Sequence, residues 1–130
     1  MLKVKLIPAT QKTPEVLLDP KGFVRIKGRC MDKNYSGCPR PISDWIDEYK
    51  MQPAEITIID IYLEYVNGFN SAILITLFRK FLTLKPAGRK LVINWFYEEG
   101  DEDILEQGEY ISSAIKTPFN YIMVQEPVHV

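Results

Sequence analysis

Asp60-Ile-Tyr-Leu-Glu-Tyr-Val-Asn-Gly-Phe-Asn-Ser-Ala-Ile-Leu-Ile-Thr-Leu-Phe-Arg-Lys-Phe-Leu82 changes its hydrophobic period halfway along, and that change decides the fold. Up to Val66, with Ile56 to Ile59 ahead of it, side chains alternate. Thr57, Ile59, Ile61, Leu63 and Tyr65 point one way; Ile56, Ile58, Asp60, Tyr62 and Glu64 point the other. From Leu74 onward the period is helical, with Leu74, Leu77, Phe78, Phe81 and Leu82 forming one core-facing stripe. Asn67, Gly68, Phe69, Asn70 and Ser71 lie between, a short polar turn with residues suited to a helix N-cap. A strand entering a helix in this way points free N–H groups and a positive dipole end at whatever lies beyond.

The flanks extend the pattern. Upstream, Glu15 to Pro20 and Phe23 to Arg29 read as strands joined by a tight turn at Asp19-Pro20-Lys21-Gly22, a β-hairpin. Cys30 to Pro41 has no period and is a loop. Ile42, Trp45, Ile46 and Tyr49 share one helical face, and Pro53 closes that helix. Downstream, Lys85-Pro-Ala-Gly88 is a stop signal. Arg89 to Tyr97 alternates as a strand, and the acids from Glu98 to Asp103 lead into a helix with Ile104, Gly108, Ile111 and Ile115 on its inner stripe. Pro118 ends it, and Phe119 to Val124 is a last strand.

A hairpin followed by helix, strand, helix, strand, helix, strand predicts a single α/β domain over residues 1–130. Its sheet is mixed but largely parallel, it has about three helices, and residues 1–8 and 125–130 are loosely held ends. Parallel sheets bind ligands and partners at the C-terminal ends of their strands. The turn from Asn67 to Ser71 sits at such an end, and the connection after Tyr97 opens on the same side.

Composition excludes several classes. The 130 residues are 46% hydrophobic and 25% charged, with net charge -1, an ordinary globular balance with no basic excess for nucleic acid. No run approaches the roughly 18 apolar residues that span a bilayer, and the N-terminus is too short and too charged for a signal peptide. Cys30 and Cys38 lack zinc spacing and read as reduced thiols, which places the protein in the cytoplasm. Enzyme constellations are missing as well. His129 lies in the tail, no phosphate-binding glycine loop occurs, and the acids from Glu98 to Asp103 lack the spacing of a calcium loop. No cofactor or metal is expected. The polar turn keeps two readings, since Asn67, Asn70 and Ser71 also serve as plain caps and Gly68 as a source of positive φ. Phe69, an aromatic in a polar turn, either tucks inward or anchors a partner.

Thr13-Pro-Glu-Val16, Gly28-Arg29, Trp45-Ile-Asp-Glu-Tyr49, Leu63-Glu-Tyr-Val-Asn67, Asn94-Trp-Phe-Tyr97, Asp101-Glu-Asp-Ile-Leu-Glu-Gln-Gly108 and Pro118-Phe119 occur in an order that resembles the SiaC family of bacterial regulatory phosphoproteins. The likeness runs from about Ala9 to Val124. It implies a STAS-like fold, that of anti-sigma factor antagonists, and a switch protein rather than an enzyme. It also implies three protein partners: a Ser/Thr kinase, a metal-dependent phosphatase and a diguanylate cyclase. The unphosphorylated family form activates the cyclase, raising cyclic di-GMP and favouring biofilm. The docking face is expected around Tyr65, Asn67, Gly68, Phe69, Asn70 and Ser71, with Phe69, the aromatic of the polar turn, as its candidate anchor. The family run resembles Tyr-Phe-Asn-Thr-Ser-Ser, whereas here it is Tyr65-Val-Asn-Gly-Phe-Asn70, so Gly68 stands at the phospho-acceptor position and Ser71 is the nearest hydroxyl. The alternative from another class is a STAS-like domain that binds a small molecule or nucleotide at the same strand ends.

Overall fold

The computed structural model describes residues 2–30, 40–66, 68–84 and 88–125. In chain order they form β1 (Lys5–Ile7), β2 (Glu15–Asp19), β3 (Phe23–Cys30), α1 (Arg40–Tyr49), β4 (Ile56–Val66), α2 (Gly68–Leu82), β5 (Lys90–Glu98), α3 (Glu102–Ile115) and β6 (Asn120–Val124). The strands make one six-stranded sheet in sequence order, antiparallel from β1 to β3 and parallel from β3 to β6. This is the mixed, largely parallel architecture that the alternating periods predict.

The hairpin turn shows why its residues are needed. The Asp19 carboxylate accepts from the Lys21 amide at 2.9 Å, and Gly22 adopts φ 106°. A β-carbon at Gly22 would run into the Ile56 carbonyl, while the Gly22 carbonyl accepts from the Ile58 amide at 2.8 Å. Glycine there satisfies both the left-handed turn and the close approach of β4.

Each parallel crossover joins neighbouring strands running the same way, so a constant crossover hand puts all three helices on one face. The burial pattern agrees. Thr57, Ile59, Ile61 and Leu63 of β4, Ile93 and Trp95 of β5, and Ile42, Trp45, Ile46 and Tyr49 of α1 are all buried between the sheet and the helices. Leu74, Leu77, Phe78 and Phe81 of α2, and Ile104, Ile111 and Ile115 of α3, complete the same core. The inner stripes expected of α1 and α3 are buried as read, and that of α2 is buried except for Leu82, which is half-buried at the core's margin.

The other face of the sheet carries no helix among the described residues. Two kinds of row cross it. Arg25, Asp60, Asn94 and Asn120 are register partners, and amide groups link the last three: Asn94 donates to Asp60 at 2.8 Å and Asn120 donates to Asn94 at 3.0 Å. The next row is Lys27, Tyr62, Phe96 and Ile122, in which the Tyr62 and Phe96 rings stack at 3.9 Å. Burial, then the Asp60 charge, pushes the Tyr62 hydroxyl above its ordinary value, against the lowering effect of Arg25.

One end of the chain departs from expectation. Residues 1–8 read as loosely held, yet Lys5–Ile7 pairs with β2, and the Trp45 indole donates to the Lys3 carbonyl at 3.0 Å. Three residues, the first of them a lysine and the last followed by Pro8, give too short an alternation to register as a strand. Of the other expected loose end, residues 126–130 lie outside the described residues.

Candidate functional site

The C-terminal end of β4 is shaped by a break in pairing. Gly28 of β3 is opposite Leu63, but Arg29 is opposite Tyr65, so β4 carries one extra residue, Glu64, at that point. Glu64 accepts from the Arg29 guanidinium at 2.9 Å. The bulge also disrupts the two-residue alternation. Tyr65, which strict alternation assigns to the core face with Ile61 and Leu63, is instead 47% exposed.

Helix α2 begins almost at once. Asn67, between the strand and the helix, lies outside the described residues, as do the side chains of Phe69 and Asn70. Gly68, Phe69 and Asn70 form the first turn of α2 in the backbone. Ser71 follows and is 1% exposed, its hydroxyl donating to the Gln107 side-chain oxygen at 2.8 Å. Of the expected docking residues, then, Tyr65 faces outward and Ser71 is buried.

Beside them starts α3. Asp101 is its N-cap, accepting from the Ile104 amide at 3.1 Å, and Glu102 and Asp103 place negative charge where the dipole favours it. The first turn of α3 and the end of β4 enclose a cleft of about 340 Å³ lined by Glu64, Tyr65, Asp101, Asp103, Glu106 and Gln107. Four of these are carboxylates. The connection after β5 does open beside the β4–α2 turn, as a parallel sheet requires.

The cleft wall was not legible in sequence. Gln107 borders the inner stripe of α3, and nothing local marks it as the partner of a serine 36 residues earlier. The acids were visible as a helix start, but their shared cleft with Glu64 is a product of the tertiary fold. Among the described residues, no group of three or more His, Cys, Asp and Glu side chains is arranged to hold a metal ion. No described helix is long and apolar enough to cross a membrane. Cys38 and His129 lie outside the described residues, as does the Cys30 side chain.

The fold and cleft define a class of small two-layer α/β domain with a bulged central strand feeding a helix start, and sequence comparison names its family. A family model described as SiaC family regulatory phosphoprotein matches residues 7–124, and the chain belongs to that family. Solved structures share the fold. SiaC of Pseudomonas aeruginosa is 18% identical with a TM-score of 0.77, covering 95% of this chain and 99% of that one. Apo-SiaC from the same organism is 21% identical with a TM-score of 0.76 over the same shares. A chain from the crystal structure of the diguanylate cyclase SiaD in complex with its activator SiaC, also from Pseudomonas aeruginosa, is 21% identical with a TM-score of 0.78, covering 92% of this chain and 99% of that one. No curated protein matches the sequence significantly.

Proposed function

We propose that this chain is a non-enzymatic cytoplasmic signalling regulator that docks a protein partner, a diguanylate cyclase, through the turn before α2. The face comprises Tyr65, Asn67, Gly68, Phe69, Asn70 and Ser71. The observation that carries the reading is the exposed Tyr65 at the mouth of the acidic cleft, in a chain of the SiaC family. An exposed aromatic beside carboxylates suits a partner that offers an apolar pocket rimmed with basic groups. In support, a family member's structure contains a diguanylate cyclase with its activator. A Ser/Thr kinase and a metal-dependent phosphatase are the other partners of the proposed pathway.

The phospho-switch is silenced in this chain. Gly68 has no hydroxyl, so position 68 accepts no phosphate. A phosphate there adds about -1.5 to -2 charge near neutral pH, one helical turn from Ser71 and its contact with the cleft wall. Its bulk and tightly held water stand between Tyr65 and the partner's apolar pocket, which remakes the docking surface. Ser71 is a poor replacement, because its hydroxyl is buried against Gln107 and phosphorylation would have to break that contact. A nucleotide is disfavoured at this cleft, since four carboxylates repel its phosphates.

Incubation with a family kinase and ATP, followed by intact-mass spectrometry, is expected to leave the mass unchanged. Gly68→Thr is expected to gain one phosphate and lose cyclase binding. Tyr65→Ala is expected to weaken cyclase binding at least tenfold, the scale of an interface anchor, with the melting temperature unchanged. Phosphate on Ser71 would falsify the silenced switch, and a cyclase that ignores both the wild type and the variants overturns the docking reading.

A further inference from the structure

The two edges of the sheet are built differently. The β1 edge is short and flanked by charge, with Lys3 before it and Lys5 inside it. Edge lysines are a standard protection against strand addition. The β6 edge has none of this. Asn-Tyr-Ile-Met-Val contains no charge, proline or glycine, and Tyr121, Ile122 and Met123 are all exposed. Its backbone is oriented for further pairing. The Val124 carbonyl accepts from the Glu99 amide on the β5 side at 2.8 Å. By alternation Asn120 and Ile122 also turn their backbone groups to β5, while Tyr121 and Met123 turn theirs outward.

We propose that β6 is a homodimerisation edge, pairing antiparallel with β6 of a second copy about a two-fold axis at Ile122. The sequence is self-complementary in that register. Tyr121 of each copy meets Met123 of the other, and these two pairs exchange the outward N–H and C=O groups. Their side chains, on the helix-bearing face, form a sulfur–aromatic contact. Ile122 meets its own counterpart in the non-hydrogen-bonded position, where side chains lie closest. Asn120 meets Val124. No charge opposes a like charge in the strand, and a net charge of -1 gives little long-range repulsion between copies.

The bare face of the sheet supports the same partner. Ile122 ends the row that runs from Tyr62 through Phe96. Across the two-fold axis that row continues into its own mirror order, Ile122, Phe96 and Tyr62 of the second copy, so the apolar band is extended rather than interrupted. Five paired residues span only about 17 Å, and the surface they cover falls well short of the ~800 Å² per partner of a standard interface. The dimer is therefore weak and concentration-dependent.

Sedimentation of the full chain tests it. The wild type is expected to move from the 15.1 kDa monomer mass towards twice that value as concentration rises into the submillimolar range. Ile122→Lys and Ile122→Glu each put a like charge opposite itself, and each is expected to stay monomeric with its circular dichroism unchanged. An equimolar mixture of the two variants puts opposite charges face to face and is expected to associate again. If neither Ile122 variant folds, Met123→Lys, on the other side of the strand, is expected to give the same loss of association. A wild type that stays monomeric throughout, including one that instead takes up a foreign peptide, overturns the proposal. So do variants that associate like the wild type, and a mixture that stays monomeric.

Discussion

The Trp95 indole occupies the space where a β-carbon on Gly108 would have to be. Such an atom would lie 2.6 Å from the indole nitrogen and 2.7 Å from two ring carbons. The same nitrogen donates to the Ile104 carbonyl at 2.9 Å, so α3 is seated on the ring through a hydrogen bond and a missing side chain together. In an exposed helix, alanine in place of glycine gains about 1 kcal/mol. Here the clash is with a rigid, fully buried ring. Gly108→Ala is expected to lower stability by about 1–3 kcal/mol as an overpacked site. A chemical-denaturation midpoint that stays level or rises would show that α3 can lift away from β5 at no cost.

Tyr49 ends α1 with its hydroxyl buried. It shares a hydrogen bond of 2.8 Å with the Thr57 hydroxyl and accepts from the Ala54 amide at 3.2 Å. Tyr49→Phe keeps the ring and strands two buried polar groups, which costs about 1–3 kcal/mol. Pairing it with Thr57→Val should recover part of that loss. Thermal unfolding of the single and double variants decides, and fully additive losses would mean that the two hydroxyls are not coupled.

Leu77 is buried in the middle of α2. Leu77→Ala is expected to cost about 2–5 kcal/mol, read as a shift in the denaturation midpoint at constant slope. An unshifted midpoint would contradict the helix's observed orientation.

Asp47 ties α1 to α2. Its carboxylate lies 3.0 Å from the Lys80 ammonium and 3.6 Å from that of Lys50. The hydrogen bond from Lys80 is the main cause that holds its pKa below the ordinary carboxylate range. A depressed folded-state value contributes stability above the unfolded value of 3.8 that is lost as pH falls through the folded value. Asp47→Asn should therefore be slightly less stable than wild type near neutrality, with the gap closing below about pH 4. High salt should close it too, because the pair is exposed. A gap that persists at pH 2 would point to a role other than charge.

Much of this fold is written locally. The stripes Ile42, Trp45, Ile46, Tyr49 and Ile104, Gly108, Ile111, Ile115 are buried without exception, because a helix's period exposes its inner face directly in the chain. The hairpin is equally plain, since Asp19 and Gly22 satisfy their turn with their own atoms. What was hidden depends on pairing between distant segments. Tyr65 leaves the core face because of a bulge that only Arg29, on another strand, reveals. The contact between Ser71 and Gln107 joins two helices and leaves no periodic trace. The bare sheet face is masked for a different reason: Ile58, Tyr62, Phe96 and Ile122 are apolar, so β4, β5 and β6 read as though covered on both sides. That face follows from strand order, which alternation along one strand does not encode.

The strand order itself has a consequence for how the chain assembles. Because spatial order equals sequence order, every strand docks on the one made just before it, and no strand must be inserted between two others. The pairings of longest reach connect segments separated by a single helix, which keeps loop-closure costs modest for a sheet with parallel strands. A chain leaving the ribosome can accrete in the order of synthesis, the hairpin serving as template for β4, β4 for β5 and β5 for β6. The uncharged strand β6 is then the last piece to be laid down. The most adhesive edge of the sheet exists only once the rest of the domain is complete, which limits its exposure on unfinished chains.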